Sequence, residues 1–206
     1  MLISVIDLGI NNLTSVINSF SKPVNSNDLI EVFNSGSSNS PDLLILPGLG
    51  KFSAGMEALQ SNNMNDKIIE LVNSGTKLVG ICLGMQLLSE RSAESPNTPG
   101  LGLIEGQCEK LPMSQGEPVP HTGWESIELS STNHFPSLSS GRDFYFVHSY
   151  HLVPKNKEDI FGITKFGNVS FVSVVQKNNI LGVQFHPEKS GQAGIDLVSE
   201  IVAWGR

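Results

Sequence analysis

Four short apolar runs, each stopped by a polar or glycine-containing break, leave few architectures open to the first half of this chain. Residues 2–6, 29–33, 43–46 and 78–81 are each short and apolar enough for a strand, the first of them a buried one. Between them lie stretches with helical spacing. Asn12 offers a helix cap ahead of Leu13, Val16, Ile17 and Phe20, and Met56, Leu59, Ile68, Ile69, Leu71 and Val72 outline a second helical region before Gly75. A short helix is expected over residues 84–90. Strands that alternate with helices specify a parallel sheet covered on both faces.

After Leu101 the pattern changes. Residues 103–111, 124–129, 144–147, 161–166, 169–176 and 180–185 read as hairpin-like strands, and residues 193–204 as a closing helix. The expectation is one α/β domain over residues 1–206. Its three layers would hold a mixed, mostly parallel central sheet flanked by helices, with these later strands added antiparallel to it.

Charge and cysteine content narrow the functions. A formal net charge of −7 without a basic block argues against a nucleic-acid partner. No apolar run nears the roughly 20 residues that span a bilayer, and the start lacks a basic leader. A soluble cytoplasmic protein with no membrane partner is expected. The two cysteines, Cys82 and Cys108, form no CxxC pair, and no cluster has zinc-type spacing. Neither a metal nor another cofactor is expected.

Gly80-Ile81-Cys82-Leu83-Gly84 places a cysteine where an apolar strand meets a helix, with glycine two residues away on each side. That is the layout of a nucleophile elbow with cysteine in the place of serine. A free thiol of pKa about 8.5 is only slightly ionised at neutral pH, and a helix N-terminus beyond it favours the thiolate. A buried structural cysteine would satisfy this pentapeptide equally well. Gln184-Phe185-His186-Pro187-Glu188 changes the balance. His186 falls at a strand end, and in extended chain Glu188 returns to its side, so the carboxylate can hold one ring nitrogen while the other serves Cys82. Pro47-Gly48-Leu49-Gly50 follows another strand. Its backbone N–H groups, with that of Leu83, suit a tetrahedral oxyanion. An ordinary strand-to-helix turn fits the tetrapeptide alone as well.

These three motifs, extended to Met85-Gln86-Leu87-Leu88 and to Lys189-Ser190, resemble the class I glutamine amidotransferases in residues, order and spacing. Within the class, Pro120-His121-Thr122-Gly123-Trp124, Tyr145-Phe146-Val147-His148-Ser149-Tyr150 and Gly100-Leu101-Gly102-Leu103-Ile104 resemble the HisH family, the glutaminase subunits of imidazole glycerol phosphate synthase. The resemblance implies Cys82 as nucleophile, His186 as base and Glu188 as its orienter. It implies Gly48, Leu49, Gly50 and Leu83 at the oxyanion, and Gln86, Ser149 and Tyr150 around the substrate glutamine. Asn12, Pro120 and Trp124 would face a cyclase subunit that receives the ammonia within a heterodimer of histidine biosynthesis.

One stretch departs from the family. Leu8 stands where its members usually carry an aromatic residue, and Asn11 where they carry glycine. Because this stretch resembles an interface element, the departure bears on the partner rather than on the chemistry. A paralogue feeding a sugar amidotransferase, a catalytically silent scaffold and a stand-alone cysteine hydrolase stay open as alternatives. His121, His148 and His151 have no triad role, His134 falls in a polar loop, and Cys108 reads as structural.

Overall fold

The computed structural model describes residues 1–10, 12–112, 119–130, 135–139 and 141–206. Asn11 and His134 lie outside the described residues. In chain order the elements are β1 (Leu2–Ile6), α1 (Leu13–Ser21), β2 (Leu29–Phe33), β3 (Leu43–Gly48), α2 (Phe52–Ser61), α3 (Asn65–Asn73), β4 (Lys77–Cys82) and α4 (Leu83–Leu87). The second half adds β5 (Arg91–Ser92), β6 (Ser95–Pro99), β7 (Gly106–Lys110), β8 (His121–Glu125), β9 (Glu128–Leu129), β10 (Phe144–His148) and β11 (Tyr150–Pro154). It closes with β12 (Ile160–Phe166), β13 (Val169–Lys177), β14 (Ile180–Val183) and α5 (Gly191–Gly205).

Eight strands form the central sheet in the order β2-β1-β3-β4-β14-β13-β12-β9. The first five run parallel. β13, β12 and β9 extend the sheet antiparallel. Period-2 alternation sends the apolar residues of one strand to two separate cores. On β3, Leu43 and Ile45 pack with Val16 and Phe20 of α1 and Leu197, Val198 and Ile201 of α5. Leu44 and Leu46 pack with Met56 and Leu59 of α2, Ile68 and Val72 of α3, and Leu83 and Leu87 of α4. Each such fully buried side chain contributes about 1.5–3 kcal/mol. A helix layer therefore covers each face, as the sequence predicted. Asn12 caps α1, its Oδ1 accepting from the Ser15 N–H at 3.4 Å.

Several later strands are not where the sequence put them. β10 pairs with β8 as a two-stranded sheet, and β11, β7, β5 and β6 form a four-stranded one; neither joins the central sheet. Strand pattern reports which residues are buried but not which strand lies beside which. Residues 103–105 precede β7 rather than belonging to it, and residues 124–129 are split between β8 and β9. The helical region before Gly75 is two helices, and α4 is one short turn of Leu83–Leu87 rather than residues 84–90.

Candidate active site

Sheet register assembles the site at the C-terminal ends of three neighbouring parallel strands. In the β3–β4 pairing Gly48 lies opposite Cys82. In the β14–β4 pairing Val183 lies opposite Ile81, which brings the following residues up to Cys82. Ends of parallel strands are where such sheets bind ligands.

Cys82 occupies a backbone conformation of φ 54, ψ −109, sparsely populated for any residue with a Cβ. The strand turns abruptly here, and close packing of its glycines allows it. A Cβ on Gly84 would stand 1.7 Å from the Leu46 carbonyl oxygen, and one on Gly80 2.8 Å from the Gly84 backbone. A Cβ on Gly48 would meet Leu83 Cβ at 2.9 Å, so the Pro47–Gly50 turn rests directly on the elbow. The glycines are thus required by proximity.

The side chains of His186 and Glu188 are both buried, with Nδ1 and Oε1 2.8 Å apart. The extended chain expected between them is a 3-10 turn over Pro187–Lys189, begun by the fixed φ of Pro187. The His186 backbone is held on both sides. Its N–H donates to Tyr145 O at 2.9 Å, and its carbonyl accepts from Ser190 Oγ at 2.6 Å. Burial opposes a charge on this imidazole, but the adjacent Cys82 sulfur and then Glu188 outweigh it and push the pKa up to about 10. Because Cys82 is the largest raising influence, Cys82→Ala is expected to move the His186 titration to lower pH. Imidazole 15N NMR checks this, and an unchanged midpoint would contradict the coupling.

Beside Cys82 lies a cavity of about 180 Å³, lined among others by Leu49, Gly50, Leu83, Gln86, Ser149 and Tyr150. All the substrate residues inferred from sequence apart from Gly48 therefore share one wall with the sulfur. Gly48 instead lines a second, narrow cleft of about 20 Å³ with Asn12, Leu49, His186, Glu188 and Lys189. Of the three inferred partner residues, Pro120 lines the larger cavity and Asn12 the smaller. Trp124 stands on the surface, 49% exposed, edge-on to Tyr145.

Glu94 and His148 also line the larger cavity, and the sequence had not singled them out as site residues. Glu94 follows the two-residue β5, too short and polar to reveal itself by pattern. Its Oε2 accepts from the Phe52 N–H at 2.7 Å and so caps α2 from a distant part of the chain. His148 belongs to a buried group with His121 and His151, packed around Phe171. Burial pushes His121 down to about 4 and His148 to about 3, so both are neutral. His148 Nδ1 donates to Tyr150 O at 2.9 Å, which leaves its Nε2 to accept from His121 Nδ1 at 3.2 Å. Cys108 is buried in β7 and burial pushes its thiol up to about 12, a structural residue as read.

The "Glutamine amidotransferase class-I" family matches residues 5–200. The chain is 42% identical to imidazole glycerol phosphate synthase subunit HisH of Pyrococcus furiosus, over 95% of each chain. It is also 42% identical to the HisH subunit of Prochlorococcus marinus, over 98% of this chain and 94% of the relative. In three dimensions it resembles a chain in the structure of PurLQS from Thermotoga maritima, with a TM-score of 0.75 at 17% identity, covering 100% of this chain and 99% of the other.

Proposed function

The chain belongs to the class I glutamine amidotransferase family and, within it, to the HisH subunits of imidazole glycerol phosphate synthase; from that premise we propose that it hydrolyses glutamine at Cys82. The ammonia passes to a cyclase subunit in a cytoplasmic heterodimer that makes imidazole glycerol phosphate. One observation carries the chemistry. The strained Cys82 shares its strand-end site with the buried side chains of a His186–Glu188 pair, and its sulfur is the largest influence raising the His186 pKa.

The Cys82 thiolate attacks the side-chain amide carbon of glutamine. Backbone N–H groups of the Gly48–Gly50 turn and of Leu83 receive the oxyanion. His186 gives its Nε2 proton to the departing nitrogen, the C–N bond breaks, and a glutamyl thioester remains. Thioester formation removes the thiolate, the main influence that raises His186, while burial still lowers it. The imidazole is thereby converted from an acid into a base. It takes a proton from water, whose oxygen attacks the thioester; the C–S bond breaks and glutamate leaves.

Substrate recognition follows from the cavity walls. Gln86 spends its NH2 group within the protein, so its carbonyl oxygen is the end available to glutamine. The Glu94 carboxylate offers a partner for the α-ammonium group. Glu94→Gln keeps an acceptor for the Phe52 N–H but loses the charge, so KM for glutamine is expected to rise on the order of tenfold or more with kcat little changed. Steady-state kinetics of the complex check this; an unaltered KM removes Glu94 from the substrate site.

Two exposed apolar side chains, Leu49 in the cavity wall and Trp124 against Tyr145, support docking of the cyclase. Trp124 and Leu49 are 49% and 43% exposed. Lys189 Nζ sits 5.9 Å above the Tyr145 ring. The cleft between Asn12 and Lys189 has the volume of about one water molecule, too small for glutamine and sufficient for ammonia. Glutaminase turnover is expected to be slow alone and to rise when the cyclase and its ligand are added. Equal rates with and without them would remove the coupling.

A further inference from the structure

One residue touches the reacting sulfur without a part in the mechanism above. Gln184 follows β14, is fully buried, and places its Nε2 3.7 Å from Cys82 Sγ. Its Oε1 accepts from Gln86 Nε2 at 3.2 Å. The two ends of an amide are distinguished only by the hydrogen bonds around them, so this orientation needs an independent anchor. Tyr150 provides it. A backbone carbonyl can only accept, and Tyr150 O stands 2.8 Å from Gln86 Nε2. Gln86 must therefore turn its NH2 group inward, one hydrogen to Tyr150 and the other to Gln184. Gln184 must answer with oxygen, which leaves its own NH2 group facing the sulfur. His148 also donates to the Tyr150 carbonyl, which holds the anchor from its other side.

The geometry points to Gln184 as a further catalytic residue, an amide donor that holds Cys82 as the thiolate and aims it into the cavity. The inference rests on Cys82 being the glutaminase nucleophile. Besides His186, the sulfur has two polar neighbours, suited to its two states. Val147 O, 3.9 Å away, accepts from the S–H of a thiol and offers a thiolate nothing. The Gln184 N–H does the opposite, and a hydrogen bond to a charged acceptor is roughly twice as strong as one to a neutral group. Ionisation thus exchanges Val147 for Gln184. The helix adds little, because α4 spans only Leu83–Leu87 and has little dipole to offer, so the thiolate rests on the His186 imidazolium and on this donor.

Iodoacetamide alkylation of Cys82, read by mass spectrometry, tests this without requiring turnover. Gln184→Met keeps the side-chain length and removes the donor. Alkylation at pH 7 is expected to slow on the order of tenfold and to match wild type at pH 10. In the assembled complex kcat should fall in parallel while KM stays. Gln184→Glu keeps the acceptor that Gln86 requires and loses the donor, and is expected to be slowed at least as much. If Gln184 merely holds Gln86, Gln184→Met will be alkylated at the wild-type rate at pH 7, since alkylation does not need Gln86, and that result overturns the proposal. Equal rates in all three proteins overturn it as well. Should Gln184→Met fail to fold, as seen by thermal melting, Gln184→Leu, neutral and likewise without a donor, carries the test instead. Cys82→Ala separates the two claims: retained glutaminase activity defeats the nucleophile, whereas an inactive Cys82→Ala beside a wild-type-like Gln184→Met defeats only the donor.

Discussion

His186→Ala is expected to lower kcat for glutamine hydrolysis by roughly 10⁴–10⁶-fold, with KM changed little. The size of the effect follows from the double duty of one nitrogen. His186 Nε2 protonates the leaving group in the first half-reaction and activates water in the second, while Nδ1 is held by Glu188. The substrate cavity, by contrast, is lined by other residues, so binding survives. Glu188→Gln should cost less than His186→Ala. It leaves the imidazole in place but loses the carboxylate that holds Nδ1 at 2.8 Å and helps raise the imidazole pKa. Steady-state kinetics of both variants in the assembled complex check the order; a Glu188→Gln loss equal to that of His186→Ala would mean that the orienter does more than orient.

Gly84→Ala is expected to be the most damaging small substitution for stability. The added methyl would sit 1.7 Å from the carbonyl oxygen of Leu46, an atom of a central strand. Leu46 is paired with Gly80 on β4, and β3 is also paired with β1, so the oxygen has no room to retreat. Overpacking of side chains typically costs about 1–3 kcal/mol. Here backbone meets backbone, and a loss above about 3 kcal/mol is expected, a large part of the roughly 5–15 kcal/mol of a typical domain. Gly102→Ala serves as the control. Its φ is +66 but nothing lies within 4 Å, so only the left-handed strain of about 1–2 kcal/mol applies. Urea unfolding compares the two; similar midpoints would show that the elbow can yield.

The parallel half of the fold was legible because its signal is local. Residues 43–46 and 78–81 carry apolar runs that mean burial on both faces, and helices must then cover both; residues 29–33 form the edge strand instead, with Leu29 and Val32 exposed. The small sheets were not legible. β5 is two residues long and β6 is Ser-Pro-Asn-Thr-Pro, so neither has an apolar pattern to read. β10 has one but β8, His-Thr-Gly-Trp-Glu, does not, and their pairing with each other rather than with the central sheet depends on long-range register. The same divide runs through the site. Cys82, His186 and Glu188 stand in motifs whose geometry is set within a few residues. Glu94 reaches the cavity through the placement of a polar turn, and Gln184 shows its use only when the hydrogen bonds from Tyr150 are followed to the sulfur. Leu8, where the family usually has an aromatic residue, is buried in the core, so the departure is absorbed by packing and not displayed at the surface.

Labelling the assembled complex with a glutamine-derived electrophile, followed by peptide mass spectrometry, tests the central claim most directly. One label per chain on Cys82 is the predicted result, with glutaminase activity lost in proportion and protection by glutamine. Cys108, buried and held as the thiol, should remain unmodified. An unlabelled Cys82 in a complex that still hydrolyses glutamine, or activity retained by Cys82→Ala, would contradict it.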